Sequence, residues 1–384
     1  MELPQYKSSL LILWDKILIK RKSAWLLSIF LWLAFLFPAS ALDLRVAIKK
    51  NARNIRIGSS TSAVIKDNSG KKIGELSAME SSLARPKWGR ISLGKLKATE
   101  IIVEPQDGGY VWIGDRWYRG KTHLRVQGRK LMAINKVDLE DYLYSVVGAE
   151  AVASWPIEAL KAQAVAARSY ALYKRKTSHT HLYDVDSTIN TQVYKGLDTE
   201  YVTTHEAVNS TEGQILTYNS NVILAAFHSS SGGHTENVED VWKSNLPYLR
   251  GVIDYDHGSP VFEWNKDFSS TQFSSLLSSE ISVGTITDLV PERVTPQGRV
   301  ISMKVVGNLG SINITGKQIR KILDLRSTLF RIQADDDQVT IVGRGYGHGL
   351  GMSQWGAYHL ASQGVGYNQI LGHYYQNTKL TNFQ

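Results

Sequence analysis

Residues 137–173 read VDLEDYLYSVVGAEAVASWPIEALKAQAVAARSYALY, two helical patterns set back to back. Asp138 suits an N-cap, and Leu139, Tyr142, Leu143, Val146 and Val147 recur at helical spacing. Gly148 is expected to end this first helix. Ser154 is expected to cap the second, with Pro156 in its first turn and Glu158 where a negative charge suits the helix dipole. Leu160, Ala164, Ala167 and Ala171 form a narrow apolar stripe whose small side chains admit another backbone closely. Between the helices lies Ala149-Glu150-Ala151-Val152-Ala153, one glutamate among four apolar neighbours. If that connection packs against the body of the protein, desolvation disfavours the carboxylate and lifts its pKa above the model value of about 4.3. That is the setting a general acid needs. The competing reading makes Glu150 a solvated loop residue, or pairs it with Lys161 or Arg168, which share a helix face one heptad apart. Composition alone favours the competing reading.

Upstream, residues 42–134 alternate apolar and polar positions, with turn signals at Asp67-Asn68-Ser69-Gly70, Asp107-Gly108-Gly109 and Gln127-Gly128. This predicts short antiparallel strands and a small β-rich N-terminal domain over 42–135. Downstream, residues 136 to about 255 read as helix-rich and then strand-rich. Residues 256–271 look irregular, with Trp264 as a packing anchor. Residues 299–306 alternate as a strand, and Thr315 caps a helix ending near Leu325. A last helix over 353–363 is stopped by Gly364. No internal repeat is evident. The expected fold class is α+β, the β-rich domain being followed by a mixed α/β catalytic domain over 136–384.

Two further stretches carry unusual chemistry. In Gly343-Arg-Gly-Tyr-Gly-His-Gly-Leu-Gly351, glycine takes every second position, and Met352-Ser353-Gln354-Trp355 follow. In an extended segment these glycines would leave one face bare, with Arg344, Tyr346 and His348 on the other, which suggests a ligand groove. The bland reading is a weakened strand in close contact with another. The second stretch is Phe227-His228-Ser229-Ser230-Ser231-Gly232-Gly233-His234-Thr235-Glu236-Asn237, after an apolar strand over 222–227. It offers hydroxyls and backbone N–H groups in a tight turn, or else a mere loop.

Glu150 with its flanks, the serine turn and the glycine ribbon together resemble the stage II sporulation protein D/LytB family of cell-wall proteins. The resemblance runs from about Leu42 to Leu380, with its motifs in the same order. It implies a lytic transglycosylase acting on peptidoglycan glycan strands, with Glu150 as the catalytic glutamate, or a non-catalytic modifier that enhances a cell-wall amidase. Such a transglycosylase uses the C6 hydroxyl of muramic acid as nucleophile and leaves 1,6-anhydro-muramic acid ends. One carboxyl group can then act as acid and base in turn, where hydrolysis by water needs two. Expected substrate contacts are Lys161, Arg168, His228, Ser229, Ser230, Ser231, Gly232, Gly233, Tyr346, His348 and Gln354. Of Trp155, Trp242 and Trp355, at most one is expected to touch glycan, since burial is the commoner fate of tryptophan.

The chain departs from the family pattern in two places. Some members hold zinc through two cysteines before a Gln-Val-Tyr segment; here Gln192-Val193-Tyr194 is present, but Asp186 and Thr191 stand at the cysteine positions and the chain has no cysteine. Threonine is a poor zinc ligand, so no metal and no other cofactor is expected. His234 replaces a common arginine, which would weaken contact with an anion at neutral pH.

The rest of the composition agrees with an envelope protein. Residues 1–41 hold Lys20-Arg21-Lys22, an apolar run over 24–37 and Ala39-Ser40-Ala41, an A-x-A cleavage signal. Export with cleavage before Leu42 is expected, or retention through 1–41 as an N-terminal anchor, the only expected membrane attachment. The net charge of +9 suits an anionic envelope. No basic-aromatic cluster points to nucleic acid, and without cysteine the core alone must carry stability.

Overall fold

The computed structural model describes residues 42–242, 244–335 and 337–383. The expected leader therefore lies outside the described residues, and within them no helix is long and apolar enough to cross a membrane. Strands and helices are both abundant, so the fold is α+β.

Twelve strands fill residues 43–138, and the turns between them fall where glycine was expected to allow positive φ, at Gly70, Gly108 and Gly128. They divide equally between two sheets, one of which gains a seventh strand from further along the chain. The seven-stranded sheet takes its edge from Val185–Asp186, which runs parallel to Asp43–Ala52. The β-rich stretch thus shares a sheet with the helical part that follows, and residues 43–383 form one compact unit.

Strand Lys130–Asp138 runs straight into helix Leu139–Glu150. The Asp138 carboxylate caps it, accepting from the N–H groups of Glu140 (2.8 Å) and Asp141 (3.2 Å). The anticipated apolar face, Leu139, Tyr142, Leu143, Val146 and Val147, is buried. Gly148, however, does not end the helix, which continues to Glu150. A Cβ at position 148 would lie 2.1 Å from the Thr199 carbonyl oxygen, so this glycine serves close packing rather than termination.

The second helix is Ile157–Thr177, and its N-cap is Pro156, not Ser154. Its small residues do more than make a stripe. Ala159, Leu160, Ala162, Ala164, Val165, Ala166, Ala167 and Ala171 are all buried, so the helix runs through the interior as an axis. Around it gathers a core built from residues 216–226, 248–249 and 350–375. A second core, from Trp264 to Ile341, fills the part that carries strands Glu263–Ser269, Val300–Gly307 and Gln338–Arg344. Trp264 thus lies in a strand, where an irregular segment was expected. Thr315 caps Gly316–Ile322 through a capping box with Gln318, and Ser353 caps Gln354–Ser362.

The glycine ribbon is the largest departure from expectation. Only Gln338–Arg344 is a strand; beyond it Gly345, Gly347, Gly349 and Gly351 all have positive φ. Their bare sides are occupied by the protein itself. A Cβ would meet the Trp264 ring at Gly343 (2.2 Å), Ser230 O at Gly345 (2.6 Å), His228 Cβ at Gly347 (2.7 Å), Arg299 at Gly349 (2.4 Å) and Ala226 O at Gly351 (2.1 Å). The groove those glycines were expected to offer a ligand is filled with the protein's own atoms.

Candidate active site around Glu150

Glu150 is the last residue of its helix and is half-buried. Its Oε1 accepts the backbone N–H of Val193 at 2.7 Å, and the side-chain amide of Gln354 also hydrogen-bonds the carboxyl group. Burial raises the Glu150 pKa above the usual carboxylate range; the Val193 N–H, the Gln354 amide and the attraction of Lys195 oppose this only in part. The result is a carboxyl group held in one orientation and biased toward its protonated form.

The loop that supplies Val193 is itself held tightly. Gln192 is fully buried, accepting from Tyr142 Oη (3.1 Å) and donating to Ala167 O (3.2 Å). Tyr194 Oη donates to Asn135 (2.9 Å), and the Lys195 N–H donates to Ser145 (3.2 Å). Sequence reading used Gln192-Val193-Tyr194 only as a landmark and missed that its backbone orients the glutamate. A backbone N–H leaves no residue type to recognise, so no signal marked it. Just upstream, the Thr191 hydroxyl donates to Asp186 O (2.5 Å) while Asp186 pairs with Lys50 (2.9 Å). Among the described residues, no group of three His, Cys, Asp or Glu side chains stands where it could hold a metal.

Gln354 lies at the start of helix Gln354–Ser362, where its Nε2 also reaches Gln163 Oε1 at 3.4 Å. The Trp355 N–H donates to Ser229 O (3.0 Å), and Phe227–His228 pairs in parallel with Met352–Ser353. Three stretches far apart in sequence therefore meet at Glu150. Trp155, on the segment that follows Glu150, packs ring to ring with Trp355 and Tyr358 at 5.0–5.2 Å.

Other expected contacts are committed elsewhere. Lys161 pairs with Glu158 (2.8 Å). Arg168 is fully buried and grips Glu140 through Nε (2.7 Å) and Nη2 (2.5 Å), so it ties the two helices together and has no surface to offer a glycan. Neither cation neutralises Glu150. In the serine turn, Ser230 Oγ donates to Asp256 (2.5 Å) and Ser231 Oγ to Asp254 (2.6 Å), and the Gly232 and Gly233 N–H groups each donate to Asp256 at 2.9 Å. Those donors hold the turn's shape and are not available to a sugar. Ser229 alone of the three serines stays partly exposed.

His228 and His348 stand with rings 5.2 Å apart. Burial drives His228 far down and His348 down to about 3, so both are neutral. His228 Nδ1 donates to Leu350 O (3.1 Å), and His348 Nδ1 accepts from the Leu350 N–H (3.0 Å), which assigns opposite tautomers. Tyr346 remains 45 % exposed at the surface.

The family model described as stage II sporulation protein matches residues 127–218, which include Glu150 and Val193, and a domain of unknown function matches residues 253–351. Stage II sporulation protein D of Bacillus subtilis is 35 % identical over 270 residues, covering 65 % of this chain and 76 % of that protein. An uncharacterised protein of Brachyspira hyodysenteriae is 33 % identical over 294 residues, 74 % of this chain and 77 % of the relative. The amidase enhancer of B. subtilis is 32 % identical over 293 residues, 63 % of this chain and 40 % of the enhancer. The chain belongs to the stage II sporulation protein D/LytB family.

Proposed function

We propose that this protein is an exported cell-wall enzyme, a lytic transglycosylase of peptidoglycan in which Glu150 is the general acid and base. The observation that carries the reading is Glu150 itself: its pKa raised by burial, and its carboxyl group aimed by the Val193 N–H and the Gln354 amide. The groups acting on it are a backbone N–H, an amide and a lysine, and none is a carboxylate. A single carboxyl suits an intramolecular attack better than hydrolysis by paired carboxylates.

Protonated Glu150 gives its proton to the glycosidic oxygen as the bond from the muramic C1 breaks. The carboxylate so formed takes the proton from the C6 hydroxyl as O6 closes on C1, and Glu150 is protonated again. No water enters the balance. Because nucleophile and electrophile sit in one sugar, the site mainly has to fix the ring's shape. One ring of the Trp155, Trp355 and Tyr358 cluster would supply a face for that.

The similarity to an amidase enhancer supports a second reading, in which the protein binds glycan and stimulates a separate amidase. Mass spectrometry of purified peptidoglycan, with and without stem peptides, separates the two. The native chain should release products ending in 1,6-anhydro-muramic acid and the Glu150→Gln form none. Absence of new glycan ends with both forms, alongside retained binding, would favour the enhancer.

A further inference from the structure

The hairpin formed by strands Ser81–Lys87 and Arg90–Leu93 turns through Trp88 and Gly89. Both turn residues have positive φ, 55° and 73°, the backbone of a two-residue turn that favours Asn-Gly. Tryptophan is a poor choice there on two counts. A bulky side chain rarely takes that conformation, and this one is 93 % exposed. Nothing lies within 4 Å of where a Gly89 Cβ would be, so the tip is convex and stands clear of the protein. Neither the turn nor the core accounts for an indole at this position.

Strand pairing arranges cations behind the tip. Arg85 and Lys87 share one face of their strand. Lys87 lies opposite Arg90, Arg85 opposite Ser92, and Ser92 opposite Lys97 of strand Leu96–Ala98. Arg85, Lys87, Arg90 and Lys97 therefore stand on one face of the six-stranded sheet, and Lys95 follows in the turn before Leu96. All five are exposed and have no ion-pair partner among the described residues. The opposite face carries Ala84, Ile91 and Leu93, all buried, which fixes the outward direction of the cations. No Asp or Glu occurs from Ser81 to Thr99, and Glu100, at the boundary, is taken by Arg125 at 2.9 Å. The sequence was expected to hold no basic-aromatic cluster. One forms here because alternation brings cations spaced along the chain to the same side.

We propose that this hairpin docks on an anionic lipid surface, with the Trp88 indole at headgroup depth and the five cations facing the lipid phosphates. Glu150 plays no part in it. Tryptophan favours the interface of a bilayer, where its ring meets the acyl boundary and its N–H stays wet. Lys and Arg near such a surface are drawn by its negative potential, and an apolar anchor beside a basic patch makes a two-signal attachment. Shape decides between a lipid surface and a dissolved polyanion. A phosphodiester chain is held in a groove, by rings that stack in series. Here a single ring projects from a convex tip, with cations along the face behind it. A flat bilayer fits that shape. The contact lies outside residues 1–41, where the only membrane attachment was expected.

The test uses the full chain and reads the hairpin itself. Because the chain has no cysteine, Thr99→Cys, next to Ala98 opposite Ile91, takes a single polarity-sensitive dye at the tip end of the sheet. The dye reports lipid contact by the hairpin even where residues 1–41 hold the chain to a vesicle. Its emission should shift to the blue with vesicles of phosphatidylcholine and phosphatidylglycerol, much less with phosphatidylcholine alone, and less again at high salt. Trp88→Asn gives the turn a residue it prefers, so the melting temperature should match or exceed that of the native chain while the shift falls by about half or more. The combined variant Arg85→Gln, Lys87→Gln, Arg90→Gln should need about tenfold more lipid for the same shift, with an unchanged melting temperature because all three residues are exposed. No shift in the native hairpin, or a shift that both variants leave untouched, would overturn the proposal. If Trp88→Asn keeps the native response while a soluble glycerol phosphate oligomer competes the vesicles away, the patch binds a phosphodiester polymer and the proposal falls.

Discussion

Arg299 and Glu236 face each other at 3.3 Å with both side chains sealed from solvent. Arg299 directly precedes Val300 of the second core, and its Nη2 donates to Ser231 O at 2.5 Å. Glu236 accepts from Thr295 Oγ1 (2.9 Å), and its N–H donates to Gly349 O (2.8 Å). One ion pair thus pins the serine turn, the glycine ribbon and the second core at a single point.

Breaking such a pair from one side strands a buried charge, which costs about 3–5 kcal/mol. Glu236→Gln and Arg299→Met should each lower stability by that order. Combined, they should cost clearly less than the two losses added, since the double variant leaves no unpaired charge. Urea unfolding of the four proteins gives the coupling directly, and additive losses would mean that the two groups do not act as a pair.

Stability should also report the strain placed on Glu150. Its pKa is raised in the folded state, so the folded protein disfavours the ionised form. The contribution of its carboxyl group is therefore most favourable below the unfolded pKa, and is lost as pH rises through the raised folded value. Glu150→Gln, which cannot ionise and still offers Val193 an oxygen, should be more stable than the native chain at pH 8. At pH 4 the two should melt together. A gap that stays constant from pH 4 to 8 would show that ionisation of Glu150 is not the cause.

The parts of this molecule that were legible in sequence are those governed by local chemistry. Asp138 and Thr315 cap the helices they were expected to cap, because a cap is written in the few residues around it. The oddity of Glu150 was visible as one acid among apolar residues. Partners at long separation were not. Nothing near Arg168 predicts Glu140 on another helix, and nothing in the serine turn predicts Asp254 and Asp256 more than twenty residues on. Gly148 failed as a helix stop for the same reason, since what demands glycine there is Thr199 on a distant turn. Glycine signals a close approach, and only the fold says by what.

Gly343 gives that last point a quantitative form. It sits in strand Gln338–Arg344 with ordinary backbone angles, so alanine is not strained there by conformation. The obstacle is the Trp264 ring, 2.2 Å from where the Cβ would be, and that ring is buried and tethered through Nε1 to Gly345 O at 2.9 Å. It cannot swing aside without giving up both packing and hydrogen bond. Gly343→Ala should therefore cost about 1–3 kcal/mol, the usual range for overpacking a buried site. Trp264→Phe removes the atoms in conflict, at the expense of a cavity and the lost hydrogen bond to Gly345. The two changes together should lose less than the sum of their separate losses, by about 1 kcal/mol or more. Thermal unfolding of both single variants and the double variant measures this. Strict additivity would mean that the ring is not what glycine makes room for.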